Sequence, residues 1–217
     1  MLFRSYGIDV IAYTVESHGI KAKPIDYETA KANYRKNNIN CPDLDVAQKM
    51  EEDILSVRKT GETCGGVVEL IVRGLPAGLG EPVFDKLEAT LAHALMSIGA
   101  VKGIEFGAGF QVASMLGSQN NDEFYVNEVG HVLTKTNNHG GILGGISSGM
   151  PIIFRVAFKP TPSIAQPQQT IDYGNLTNGV IEIKGRHDPC VVPRAVPCVE
   201  AAANIAILSH MLDYPNF

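Results

Sequence analysis

One segment narrows the folds open to this chain more than any other. From Val196 to Asp213 the sequence reads as a helix, with Ala201, Ala202 and Ala203 near its start. Ile205, Ile207, Leu208, Met211 and Leu212 then leave it apolar nearly all round. A helix without a polar stripe is expected between layers rather than on a surface. With 217 residues, the chain can supply those layers as one sizeable domain or as two small ones. No short repeat, low-complexity tract or convincing linker divides it.

The remaining segments mix both kinds of element without a regular βαβ alternation. Ile8 to Val15 reads as a strand, rich in β-branched and aromatic residues. Asp26 to Lys36 is weakly helical, and Asp45 to Arg58 is a better helix, stopped by Gly61. Val67 to Val72 is a strand ended by Gly74 and Pro76. Phe84, Leu87, Leu91, Leu95 and Ile98 recur at helical spacing and predict one amphipathic helix. Val101 to Phe106 and Phe110 to Leu116 are short strand candidates, and Ile152 to Phe158 is a strong one. Val180 to Ile183 adds another, shorter strand. Gly117 to Thr136 is polar and reads as a long loop, of a length often associated with function, such as a lid. The best-fitting architecture is α+β, with largely antiparallel sheets packed on helices.

Composition excludes several classes. A formal charge of −5 argues against a general nucleic-acid surface, so any anion site must be local. No apolar run reaches membrane-spanning length and no signal peptide opens the chain, which makes the cytoplasm the expected location. Cys41, Cys64, Cys190 and Cys198 show no CxxC pairing and read as reduced, structural thiols. The opening MLFRSYG runs at once into the stretch Ile8 to Tyr13, as the tail of a helix entering a strand would.

Two runs carry the chemistry. NNHGGILGGISSGMP, from Asn137 to Pro151, packs Gly140, Gly141, Gly144, Gly145 and Gly149 around two serines. GRHDPCVVPRAVP, from Gly185 to Pro197, gathers Arg186, His187, Asp188 and Arg194 among prolines. Glycine lets backbone approach a ligand closely and proline stiffens the chain beside it, so a preorganised site for a large anionic ligand is expected. The glycine run matches neither GxGxxG nor the GxxxxGK[ST] phosphate loop, and a plain glycine-rich turn beside a sheet remains the alternative. The strand Ile152 to Phe158 leads into Lys159, Pro160, Thr161, Pro162 and Ser163, placing an ammonium and two hydroxyls on a stiffened corner. That lysine can serve a phosphate or the anionic ring of a reduced flavin, or it can simply cap a solvated strand end.

Arg186 suits bidentate contact with a phosphate or carboxylate, or a surface ion pair. It lies close to the start of the last helix, where anions are favoured. Asp188 can act as a general base or pair with an arginine. His139, His187, Asp188 and Cys190 do not show a recognised ligand spacing, so no metal is expected. His93, His131 and His210 read as surface or core histidines.

NNHGGILGGISSG (Asn137 to Gly149), FKPTPSI (Phe158 to Ile164), GRHDPCV (Gly185 to Val191), GLGEPVFDK (Gly78 to Lys86) and AVKG (Ala100 to Gly103) closely resemble chorismate synthase, in family order. The likeness is strongest from about Gly65 onward and is traceable back to Tyr6. The resemblance implies a β-α-β sandwich of antiparallel sheets on central helices. It also implies a phosphate-eliminating lyase that converts 5-enolpyruvylshikimate-3-phosphate to chorismate in the shikimate pathway. The reaction needs reduced FMN without net redox change, with NADPH a candidate reductant and a homotetramer the implied assembly. By position, Gly99, Ala100, Gly144, Lys159, Pro160, Thr161, Pro162 and Ser163 match flavin contacts, and Arg186 matches a residue near flavin and substrate. Gly99 and Pro162 depart from the common pattern, where other small or polar residues often stand. Asp188 matches an aspartate proposed to help deprotonate the flavin ring nitrogen.

The family's early GESHG-like segment, its second histidine and its RSSGRE-like segment find no match, so the chain is expected to be the C-terminal portion of the domain and inactive alone. ESHG from Glu16 to Gly19 mimics the first motif, but its surroundings match a later strand, which excludes His18 as the catalytic acid. A non-catalytic flavin- or phosphate-binding module is the competing expectation, with a metal-dependent hydrolase disfavoured by the lack of a ligand set.

Overall fold

Hydrophobic periodicity and a few capping groups set most of the elements, which a computed structural model describes over residues 2–213. The chain begins with a short helix α1 (Leu2–Ser5), strands β1 (Asp9–Ser17) and β2 (Ile20–Lys21), and helices α2 (Tyr27–Asn33) and α3 (Leu44–Lys59). A 3-10 turn, Tyr34–Lys36, separates the two helices. Next come β3 (Gly66–Arg73), α4 (Leu87–Met96), β4 (Val101–Phe106), a 3-10 helix at Gly109–Ser114 and the one-turn helix α5 (Gly117–Asn120). Two hairpins follow, β5 (Phe124–Val126) with β6 (Val132–Thr134) and β7 (Ile142–Leu143) with β8 (Ile146–Ser147). After β9 (Ile152–Phe158), a third hairpin pairs β10 (Gln168–Asp172) with β11 (Thr177–Ile181), and α6 (Val192–Asp213) is the last described element. These pairings are antiparallel, and with the helices they make the α+β architecture that the sequence implies.

The chain folds as two compact units. Residues 2–13, 68–157 and 195–213 form the first, and residues 14–67 and 158–194 the second. The covalent path passes between them four times, within β1, β3, β9 and α6.

In the first unit, segments of β1, β3, β9 and β4 lie side by side in that order. Strand β9 alternates strictly, burying Ile152, Phe154 and Val156 and leaving Ile153 and Arg155 half-buried, as a strand with one core face must. Helix α4 buries Leu87, Leu91 and Leu95 at four-residue spacing. Removing each of those side chains from water contributes about 2 kcal/mol. Phe106 packs on Phe154 with ring centroids 5.4 Å apart.

In the second unit, α3 starts where Asp43 accepts the Val46 N–H at 3.2 Å and ends in Arg58 and Lys59, which suit the helix dipole. It buries Val46, Ala47, Met50 and Ile54 on one face. Asp26 caps α2 through the Thr29 N–H, a bond that holds its carboxyl below the usual carboxylate range.

Five expectations need correction. Phe110 to Leu116 is not a strand: Gly107 and Gly109 adopt φ of +54° and +58°, and Glu105 accepts the Phe110 N–H, which turns the chain into a 3-10 helix. Gly117 to Thr136 is not a structureless loop, since it holds α5 and the β5–β6 hairpin. Helix α4 begins at Leu87, whose N–H bonds the Gly145 carbonyl at 2.8 Å, and Phe84 lies outside it, 87% exposed. Helix α6 is buried along one stripe (Val196, Val199, Ala203 and Ile207) rather than all round, with Ile205 and Leu212 70% and 71% exposed. By length and composition it could also cross a bilayer, contrary to the expectation that no run is so long, but that buried stripe is the packing of a core helix.

Candidate functional site

The strand β9 delivers Phe158 into the core and then breaks at Pro160 and Pro162, which cannot donate to a ladder. Gly65 lets this corner pass close by: a Cβ there would stand 2.3 Å from the Phe158 carbonyl oxygen. The Thr63 hydroxyl donates to the Thr161 carbonyl at 2.7 Å, and the Thr161 hydroxyl donates to the Asp188 carbonyl at 3.1 Å. Ser163 meets His187 Nδ1 at 2.9 Å, while His187 Nε2 lies 2.9 Å from the Ile183 carbonyl. A carbonyl only accepts, so Nε2 of His187 donates to Ile183, which fixes the ring between the two segments. The structure thus brings together the two runs that the sequence singled out in this unit, Lys159 to Ser163 and Arg186 to Asp188.

Lys159 and Arg186 are exposed and have no hydrogen-bond or ion-pair partner among the described residues. A cavity of about 200 Å³ lies beside Arg186, lined also by Arg58, Gly61, Glu62, Ala165, His187 and Pro189. Cations not engaged in an ion pair, on a hydrogen-bonded, proline-stiffened scaffold, suit a phosphate or the anionic ring of a reduced flavin. The Asp188 carboxylate accepts a short hydrogen bond from Arg194, a pairing that a structural aspartate and an oriented general base share. His18 sits in the turn between β1 and β2, where its Nδ1 pairs with Asp53 at 2.9 Å.

Gly99, Ala100 and Gly144 belong to the first unit. Gly99 and Ala100 form the tight connection from α4 to β4, with Ala100 at φ +72° and open space where a Gly99 Cβ would stand. Gly144 and Gly145, at φ +63° and +94°, make the two-residue turn of the β7–β8 hairpin, a conformation that glycine alone adopts without strain. This hairpin docks on the Gly78–Gly80 segment: the Gly78 N–H and the Leu79 N–H bond Ser147, whose hydroxyl donates to the Pro76 carbonyl. Gly80 permits that approach, since a Cβ there would lie 2.1 Å from the Gly145 carbonyl oxygen.

Sequence reasoning missed one cluster. Asp122 accepts the backbone N–H groups of Asn138 and His139 at 2.8 and 3.0 Å and the Thr136 hydroxyl at 2.5 Å, and makes a short contact with His139 Nδ1. His139 Nε2 faces the Ser148 hydroxyl at 3.3 Å, and burial pushes the imidazole pKa down. Asp122 therefore pins the entrance of the glycine run. Its only mark in the sequence is a carboxylate in a polar stretch, which spacing cannot tell from a solvated one.

Comparison with known proteins gives one consistent result. The chorismate synthase family profile matches residues 1–212. Chorismate synthase of Acetivibrio thermocellus is 58% identical over 204 residues, covering 93% of this chain and 52% of the relative. That of Methanosarcina barkeri is 51% identical over 212 residues, covering 98% and 58%. A crystal structure of chorismate synthase superimposes with a TM-score of 0.80 at 27% identity, over 97% of this chain and 59% of that one. The chain spans a little over half the length of the curated relatives it matches.

Proposed function

Because the chain belongs to the chorismate synthase family, we propose that it serves the 1,4-elimination of phosphate from 5-enolpyruvylshikimate-3-phosphate, and that its share is to bind and orient reduced FMN. The observation that carries this reading is the hydrogen-bonded junction of the Lys159–Ser163 corner with the Arg186–Asp188 loop, which displays Lys159 and Arg186 without an ion-pair partner among the described residues. When bound, reduced FMN would lend electron density as phosphate leaves and regain it as the hydrogen is lost. Lys159 and Arg186 supply fixed positive charge where negative charge is held, at little reorganisation cost. Pro160 and Pro162 keep the corner stiff, the Thr161 hydroxyl donates to the neighbouring loop, and the Ser163 hydroxyl is held against His187 of that loop. Gly99, Ala100 and Gly144 are proposed as flavin contacts through their backbone. Asp188 is proposed to move a proton through its carboxylate, with Arg194 fixing its orientation. On the same family ground, a cytoplasmic homotetramer is the proposed working form, and NADPH the candidate reductant.

The 217-residue chain alone, given substrate and reduced FMN without oxygen, is expected to release no chorismate while still perturbing the flavin absorbance spectrum on titration. Lys159→Ala should weaken that titration at least several-fold. Steady chorismate release would overturn the expected inactivity, and an unchanged titration would remove Lys159 from the site. A binding module without any catalytic role is the competing reading. It is separated by testing whether turnover appears when the chain is co-expressed with the unmatched portion of the Acetivibrio relative.

A further inference from the structure

Two thiols that the proposed reaction does not use lie against one another. Cys64 and Cys190 form an isolated parallel β-bridge, and the Cys64 N–H donates to the Pro189 carbonyl at 2.8 Å. Bridged positions on neighbouring strands lie about 4.8 Å apart, inside the Cα separation of roughly 4.4–6.8 Å that a disulfide spans. Both side chains are buried, at 1% and 5% exposure, and the Ser17 hydroxyl stands 3.8 Å from the Cys190 sulfur. The Cys64 thiol hydrogen-bonds the Cys190 sulfur, which lowers the Cys190 pKa to about 7 and pushes that of Cys64 up. The bridge thus sets two thiols side by side, and their mutual hydrogen bond favours the charged form of Cys190 over that of Cys64. Cys41 has no such arrangement, and burial raises it to about 11.

We propose that Cys64 and Cys190 are a redox-active dithiol that a hydroperoxide converts reversibly to a disulfide. The Cys190 sulfur attacks one peroxide oxygen and the O–O bond breaks. The departing hydroxide takes up a proton as water, and Cys190 becomes a sulfenic acid. The Cys64 sulfur then attacks the oxidised sulfur, so that an S–S bond forms, the S–O bond breaks and a second water leaves with the remaining proton. The two sulfurs together lose two electrons and the peroxide gains them; a dithiol reductant reverses the change. Glu62 and Pro189, close in sequence to the two cysteines, line a cavity, and hydrogen peroxide, little larger than water, would reach the buried sulfurs from it by local opening. The bond would lock residues 63–64 to residues 188–190, segments already joined through Thr161, and so stiffen the loop that carries Arg186 and Asp188. This inference does not rest on the lyase reading.

The test treats the reduced chain with a small excess of hydrogen peroxide, blocks remaining thiols with iodoacetamide and maps peptides without reductant by mass spectrometry. The expected product is a Cys64–Cys190 linked peptide, lighter by two hydrogens and lost on adding dithiothreitol, while Cys41 is still alkylated. In Cys64→Ser, Cys190 should stop at the sulfenic acid and be trapped by dimedone. The proposal is overturned if both cysteines remain alkylatable under conditions that oxidise the exposed Cys198, or if either links instead to Cys41 or Cys198. The map of the unaltered chain decides the matter even if Cys64→Ser does not fold.

Discussion

Pro197 lies inside α6 and brings no N–H to the Pro193 carbonyl one turn earlier. The Asn40 side-chain amide supplies that donor at 3.0 Å, from a residue held at φ +57°, which asparagine tolerates better than most. Asn40→Gly keeps the backbone conformation and removes only the bond, so it should lower unfolding stability by about 1–2 kcal/mol. An unchanged urea midpoint would mean that water replaces the amide. At the proposed site, Asp188→Asn preserves size and loses the charge. If the carboxylate moves a proton, turnover in the catalytically competent assembly should fall by about 10²–10⁴-fold with little change in flavin affinity. Loss of affinity with turnover intact would instead make the Arg194 pair its whole role.

Elements were legible in the sequence wherever burial alone decides the conformation. Strand β9 keeps the bounds read for it, Ile152 to Phe158, and α3 ends beside the Gly61 expected to stop it. Prediction failed where a distant backbone group decides. Nothing near Phe84 says that the Leu87 N–H will be taken by Gly145. Strand β10 is polar throughout apart from Ile171, so its existence depends on pairing with β11 and on Asp172 capping the turn. The residue types of the candidate site were readable, but the Thr63–Thr161–Asp188 chain of bonds joins residues far apart in sequence and leaves no periodic trace. The β7–β8 turn allows a graded check. Gly144→Ala meets open space and should cost about 1–2 kcal/mol for the left-handed backbone alone. Gly145→Ala adds a Cβ 2.5 Å from Lys86 Cγ and should destabilise more in the same thermal melt. Equal losses would show that Lys86 yields freely.

At the scale of the whole molecule, α6 presents Ile205 and Leu212 to solvent although a stripe of the same helix is buried. Exposed apolar side chains favour self-association. The double variant Ile205→Lys, Leu212→Lys should therefore reduce light scattering on concentration, with stability changed by less than about 0.5 kcal/mol per site. If scattering persists, the hairpins become the source to examine, since Tyr173, Leu176 and Val129 are also exposed.

The four passages of the chain through β1, β3, β9 and α6 have a consequence for how such a protein can be handled and inherited. Neither compact body corresponds to an uninterrupted stretch of gene, so no single cut frees one of them. A recombination event that swapped either would need several matched breakpoints. Each of those would fall inside a regular element, where an insertion is least welcome.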